Sequence, residues 1–128
     1  MGCDKVLKGE LENALVFIRP PGHHSAGIIN DLQGFCILNN VAIAANHLLN
    51  EGVKKVLILD WDIHHGDSTQ KIFYETKKVL YISIHKFLKG EFYPNNNSDV
   101  GFLGSGEGKG YNLNFPLNPK VDDDYIGD

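Results

Sequence analysis

The chain has 128 residues, 42% hydrophobic and 22% charged, which is the composition of one folded domain or part of one, not of a disordered or fibrous chain. Twelve Lys and Arg against sixteen Asp and Glu leave a net charge of −4; this excludes the basic footprint of a nucleic-acid-gripping protein, so no direct nucleic-acid binding is expected. No apolar run reaches bilayer length, Met1-Gly2-Cys3-Asp4 is no secretory signal, and two cysteines are too few for a disulfide scaffold, so the expectation is no membrane and an intracellular, reducing home.

Ala14-Leu15-Val16-Phe17-Ile18 is a short apolar run halted by Arg19-Pro20-Pro21-Gly22, which predicts a strand ending in a stiff turn. Residues 38–51 predict a helix, with Val41, Ala44, Ala45, Leu48 and Leu49 as its apolar stripe, Asn39 or Asn40 as cap and Gly52 as stop. Val56-Leu57-Ile58-Leu59 is continuous, not alternating, as for a strand covered on both faces. A short helix is expected from Asp67 or Ser68 to about Glu75, a buried strand over Val79 to Ile84, and a weaker one over Tyr111 to Phe115. A long polar loop, rich in Asn and Gly, separates those two strands. Asp122-Asp123-Asp124-Tyr125-Ile126 resembles a helix start, yet the sequence stops within a turn and so reads as truncated. Strands alternating with helices predict an α/β domain with a mostly parallel sheet, whose ligands sit outside the carboxyl ends of the strands.

The chemistry concentrates at one such end. In Asp60-Trp61-Asp62-Ile63-His64-His65-Gly66-Asp67, an extended backbone would put Asp60, Asp62 and His64 on one face. A carboxylate and an imidazole two residues apart suit zinc or a neighbouring transition metal better than calcium. The plainer alternative is an ion-paired strand end whose carboxylates serve as caps; two adjacent histidines at that position favour the metal. Arg19-Pro20-Pro21-Gly22-His23-His24 ends the preceding predicted strand and should open on the same edge. Two imidazoles on a stiff turn suit proton transfer, with Asp60 and Asp67 as available partners. The ordinary reading of such a pair is an incidental surface loop.

Together, and in this order, Arg-Pro-Pro-Gly-His-His, Gly34-Phe35-Cys36 and the run from Asp60 to Asp67 resemble the zinc-dependent histone deacetylase family, of arginase/deacetylase fold. The likeness extends from about Ile18 to Pro116. Trp61 and Ser68-Thr69-Gln70 look most like the class II branch, which usually has Asn where Asp67 stands. The resemblance implies a three-layer αβα fold with a mostly parallel sheet, present in part, with residues 1–128 as the central fragment of one catalytic domain.

It implies Asp62 and His64 as two zinc ligands, His24 as general base paired with Asp67, and His23 as electrostatic partner paired with Asp60. Gly34, Phe35 and Tyr93 would line the acyl-lysine tunnel, Tyr93 standing where many relatives carry Phe. Potassium would map onto Asp60, Asp62, His64, Ser83 and Ile84, and a second potassium onto Phe73, Thr76, Val79 and Tyr111. The implied activity is hydrolysis of the acetyl amide of acetyl-lysine in histones or other proteins, with chromatin regulation and transcription repression, corepressor-type complexes and a nuclear or cytoplasmic home as the class expectations. The family's third zinc ligand is a later Asp, and its oxyanion-polarising Tyr lies later still. Neither Asp122, Asp123, Asp124, Asp128 nor Tyr125 has that context, so the fragment alone is expected to be inactive. A non-catalytic acyl-lysine binding module, an acetylpolyamine amidohydrolase and an arginase-like hydrolase remain alternatives. The glycine-rich stretch 104–110 lacks nucleotide-loop spacing.

Overall fold

Three parallel strands form the sheet among the described residues. The computed structural model describes residues 2–25, 33–94 and 97–118; the expected helix start at 122–126 lies outside them. Strand β1 (Val56–Asp60) pairs with β2 (Val79–Lys86), and β2 with β3 (Asn112–Leu117), in the spatial order β1-β2-β3. The register sets Asp60 beside Ser83 and Ser83 beside Asn114. Helices α1 (Gly2–Leu7), α2 (Asn40–Asn50) and α3 (Asp67–Phe73), with short 3-10 turns at Leu88–Gly90 and Gly106–Gly108, complete the regular structure among the described residues. The runs that predicted the three strands and the two longer helices are thus where those elements form.

Helix α2 starts where its cap dictates. The Asn39 side chain accepts from the Ala42 amide at 3.0 Å, satisfying one of the donors that a helix start leaves unpaired. Its core face differs from the expected stripe. Ala42 and Ala45, with Leu49 at the margin, pack on Ile58, Phe73, Val79 and Tyr81, because small residues let the helix approach the sheet closely. Val41, Ala44 and Leu48 line instead an apolar groove shared with Val6, Leu7, Val16 and Ile18. Apolar residues at every position of 41–45 give the helix two apolar faces, and periodicity alone cannot say which one the sheet takes.

Two expectations about strands are corrected. Residues 14–18 join no ladder among the described residues. They run extended along the groove, with Ala14, Val16 and Ile18 turned into it and Leu15 and Phe17 turned outward. The period-two pattern is real, but a strand needs a neighbour's backbone as well. The continuous run of β1 is covered on one side only. Helices α2 and α3 join a single core cluster with Ile58 and Tyr81, while Leu57 stays 59% exposed and Leu59, Ile84, Phe115 and Leu117 share its exposure. Helix α1 was not foreseen, being too short to show a period. His47 of α2, which reads as an exposed polar residue, holds it by donating from Nε2 to Asp4 Oδ1 at 2.5 Å.

Candidate active site

The carboxyl end of β1 does not continue extended past Asp60. Residues 61–66 bend, because each short aspartate side chain captures the amide two residues on. Asp60 Oδ1 accepts from the Asp62 amide at 3.2 Å, and Asp62 Oδ1 from the His64 amide at 2.8 Å. The Lys86 amide donates to the Ile63 carbonyl at 2.9 Å and ties the bend to the end of β2. The single shared face expected for Asp60, Asp62 and His64 is therefore replaced by a division of labour. Asp62 and His64 still meet, with Oδ1 and Nδ1 3.1 Å apart, and their side chains are 48% and 39% exposed. Asp60 turns inward instead.

The histidine turn docks into the gap between the starts of α2 and α3. Asn40 donates to the Pro20 carbonyl at 2.9 Å, the Gly22 amide to Cys36 Sγ at 3.0 Å, Ser25 Oγ to the Ile37 carbonyl at 2.7 Å, and the Thr69 amide to the His23 carbonyl at 3.3 Å. Each imidazole then meets its own carboxylate. His23 Nδ1 lies 2.9 Å from Asp60 Oδ2, and His24 Nδ1 lies 2.7 Å from Asp67 Oδ1. The two rings stand 4.1 Å apart. A carboxylate only accepts, so both rings carry a hydrogen on Nδ1 and are left with Nε2 for proton exchange.

The His23–Asp60 pair is strongly polarised. Burial acts to push the His23 pKa down, but the hydrogen bond and charge of Asp60, helped by Asp62 and Asp67, outweigh it and raise it above the ordinary value. Burial likewise opposes ionisation of Asp60, yet the hydrogen bond and charge of His23, the Asp62 amide and Tyr81 hold its carboxyl below the usual range. Tyr81 Oη donates to Asp60 Oδ2 at 3.0 Å and lies 3.1 Å from the Gly66 carbonyl. Burial first, and the Asp60 charge second, push the Tyr81 hydroxyl well above its ordinary pKa. Nothing in the sequence singles out Tyr81, because a tyrosine in an apolar strand looks like core.

Gly34 closes on the buried His24 ring: a Cβ there would stand 2.3 Å from His24 Cδ2, and its φ of +55° already disfavours any side chain. Tyr93 meets His24 edge-on at 5.1 Å and His64 at 5.8 Å, while His64 stacks on Phe92 at 5.2 Å. Tyr93 Oη lies 3.1 Å from Gln33 Oε1 and can donate to it. Phe35, expected beside Tyr93, is 92% exposed. Among the described residues no group of three or more His, Cys, Asp or Glu side chains could hold a metal; Asp62 and His64 form a pair of donors and no more.

The expected potassium positions split between the two ends of the sheet. Ser83 lies next to Asp60 and is fully buried, and its Oγ donates to His85 Nδ1 at 2.9 Å; Ile84 follows it, partly exposed. At the opposite end, the Phe73 carbonyl accepts from the Thr76 amide, Thr76 Oγ from the Lys78 amide, and the Tyr111 carbonyl from the Tyr81 amide, close to Val79 in β2.

The rings of His65 and His85 stand 4.7 Å apart, tilted to each other and both buried. His85 Nε2 donates to the Ser98 carbonyl at 2.8 Å and His65 Nε2 to Gln70 Oε1 at 3.2 Å. Burial, then the charge of His85, lowers the His65 pKa to about 4. The folded value lies below the unfolded one, so stability is lost as pH falls from about 6.5 toward 4. His23, whose pKa is raised, works the other way and gains between pH 7 and pH 5, whereas Asp60, held below the usual carboxylate range, loses its contribution only at lower pH. The informative quantity is therefore the stability gap between the metal-free chain and its His65→Gln variant. It is expected to narrow by about 2 kcal/mol from pH 7 to pH 5 in urea titrations. A gap independent of pH would contradict this account of His65.

A family model described as histone deacetylase domain matches residues 1–127. The chain belongs to the histone deacetylase family. Histone deacetylase 5 of Arabidopsis thaliana is 48% identical over 119 residues, covering 89% of this chain and 18% of that protein. Histone deacetylase HDA1 of Candida albicans is 44% identical over 130 residues, covering 97% of this chain and 15% of that one. The crystal structure of the HDA15 HD domain superposes with a TM-score of 0.85 at 43% identity, over 90% of this chain and 32% of that chain. The parallel sheet and its helices are thus those of the arginase/deacetylase fold, present in part. The chain spans less than a fifth of these two curated histone deacetylases and about a third of the solved domain.

Proposed function

We propose that residues 1–128 are the central part of one catalytic domain that removes the acetyl group from lysine in histones or other proteins. The observation that carries this reading is a pair of carboxylate-backed histidines, His24 buried and His23 partly so, beside the Asp62–His64 edge in a histone deacetylase family chain. Donor chemistry supports zinc: one carboxylate oxygen and one imidazole nitrogen, 3.1 Å apart and open to solvent, suit a borderline divalent ion and supply two of the three protein ligands that a catalytic site needs. Asp62 and His64 would hold it. When bound, zinc supplies a polarised amide carbonyl and a water of lowered pKa.

The chain's own residues do the rest. His24 accepts the proton of the attacking water at Nε2, and Asp67 holds the tautomer and balances the imidazolium that forms. His23, held toward its charged form by Asp60, offers positive charge to the developing oxyanion. Gly34, Phe35 and Tyr93 border the lysine stem. Asp60, Asp62, His64, Ser83 and Ile84 are assigned to one potassium, and Phe73, Thr76, Val79 and Tyr111 to a second. Acetylated lysine is the partner, corepressor-type complexes the setting, and nucleus or cytoplasm the compartment.

The test is acetate release from an acetyl-lysine peptide by the longest natural chain containing this segment, with and without a zinc chelator. Chelator-sensitive turnover is expected there, and little or none from the 128 residues alone. Turnover indifferent to chelation would overturn the zinc assignment. No turnover in a folded, metal-loaded chain would replace the hydrolase with an acyl-lysine binding module.

A further inference from the structure

The proposed chemistry leaves one buried polar hub unused. Gln70 lies on α3 one turn beyond Asp67 and is almost fully buried. Its Oε1 accepts from three side chains on two other segments: Asn112 Nδ2 at 2.8 Å, Asn114 Nδ2 at 2.9 Å and His65 Nε2 at 3.2 Å. Its Nε2 donates to the Asn97 carbonyl at 2.8 Å. No interior group gathers so many partners without structural consequence, because each is a buried donor or acceptor that would be costly to leave unmade.

Two of these partners, and the His85 ring beside His65, have a common target. Asn112 also donates to the Phe102 carbonyl at 2.6 Å, Asn114 to the Asp99 carbonyl at 3.2 Å, and His85 to the Ser98 carbonyl at 2.8 Å. The carbonyls of residues 97, 98, 99 and 102 are therefore held by buried side chains from β2, β3 and, through Gln70, α3. That loop follows Tyr93, whose ring lies edge-on to both His24 and His64. At its other end α3 begins with Asp67, the partner of His24.

We propose that Gln70 is a positioning residue for this site, its amide locking the helix that supplies Asp67 to the loop that follows Tyr93. It touches no reacting atom. Its part is to keep the His24 carboxylate and the aromatic wall at a fixed separation, and a misplacement of about 1 Å at such a site costs up to about a hundredfold in rate. The inference rests on the deacetylase reading for its catalytic consequence and on the hydrogen bonds alone for its structural one.

The experiment uses the longest natural chain containing this segment, with Gln70→Met and Gln70→Glu. Met keeps the volume and removes all four hydrogen bonds. Glu keeps the acceptor, loses the donor to Asn97 and sets a carboxylate oxygen against that carbonyl. Amide hydrogen exchange is followed by peptide alongside kcat and KM on an acetyl-lysine peptide. In the Met variant, exchange is expected to accelerate over residues 97–110 and not over β1 or α2, with kcat/KM down roughly tenfold to a hundredfold. The Glu variant should fall between it and the parent in both readouts. Exchange unchanged over 97–110, or raised uniformly across the domain, would overturn the proposal; so would unchanged kinetics with a loosened loop. If Gln70→Met fails to fold, Gln70→Glu alone decides by the same criteria. A parent chain without turnover defeats the deacetylase reading and the catalytic half of this proposal, and the exchange pattern then decides the structural half.

Discussion

Replacing His24 with alanine is expected to cut kcat/KM on an acetyl-lysine peptide by roughly 10²- to 10⁴-fold, the usual contribution of a positioned general base. The expectation follows from how completely the ring is fixed. Asp67 Oδ1 takes the Nδ1 hydrogen at 2.7 Å, Gly34 leaves no space beside Cδ2, and the rings of His23 and Tyr93 stand 4.1 and 5.1 Å away. Only Nε2 is left to exchange a proton, and it cannot wander. Asp67→Asn should act through the same atom with a smaller loss and an altered pH profile, since an amide fixes the tautomer less firmly and cannot balance an imidazolium. The measurement is kcat/KM against pH for the three proteins, with folding checked by circular dichroism. A His24→Ala enzyme within about threefold of the parent, against the 10² or more expected of a base, would remove His24 from that role.

The fold and the site were legible to different depths. Strands β1 and β2 were legible as short, continuous apolar runs such as Val56–Leu59, and β3, with its alternating Asn residues, more weakly. Residues 14–18 have the same character and yet pair with nothing among the described residues, since pairing depends on a neighbour that no local pattern encodes. At the site, the histidine turn and the Asp60–Asp67 run stood out by residue type, but the bend past Asp60 did not. Two aspartates each capturing a backbone amide override the extended geometry that the strand before them suggests.

Tyr81 and Gln70 lay deeper still. Neither is an unusual residue for its element, and each becomes special only through convergence. Tyr81 reaches Asp60 across one strand spacing, and Gln70 reaches Asn112 and Asn114, more than forty residues away in sequence. The buried polar network behind the histidines is thus written in chain topology, where spacing rules do not reach. The Asp62–His64 pair proposed to hold the metal is written in local sequence, and its side chains are about half and two-fifths exposed.

Gly66→Ala should cost about 3 kcal/mol of folding stability, the upper part of the range for forcing atoms into a packed interior. Gly66 sits at φ −77°, which any residue adopts, so its backbone does not demand glycine. Space does. A Cβ there would lie 2.4 Å from both Asp60 Oδ2 and Tyr81 Oη, and 3.1 Å from His23 Nδ1. All three atoms belong to the network that fixes His23, so the methyl group would part Asp60 from one of its donors as well as overpack the site. Urea titration of Gly66→Ala, Tyr81→Phe and the double variant separates the two effects. Removing the Tyr81 hydroxyl deletes one of the two closest obstacles, so Gly66→Ala should cost measurably less in the Tyr81→Phe background. Gly52→Ala supplies the contrast: nothing lies within 4 Å of its Cβ, and it should show only the strain of its φ of +93°, about 1 kcal/mol. Strict additivity between positions 66 and 81 would mean that the close approach at Gly66 is not what excludes a side chain there.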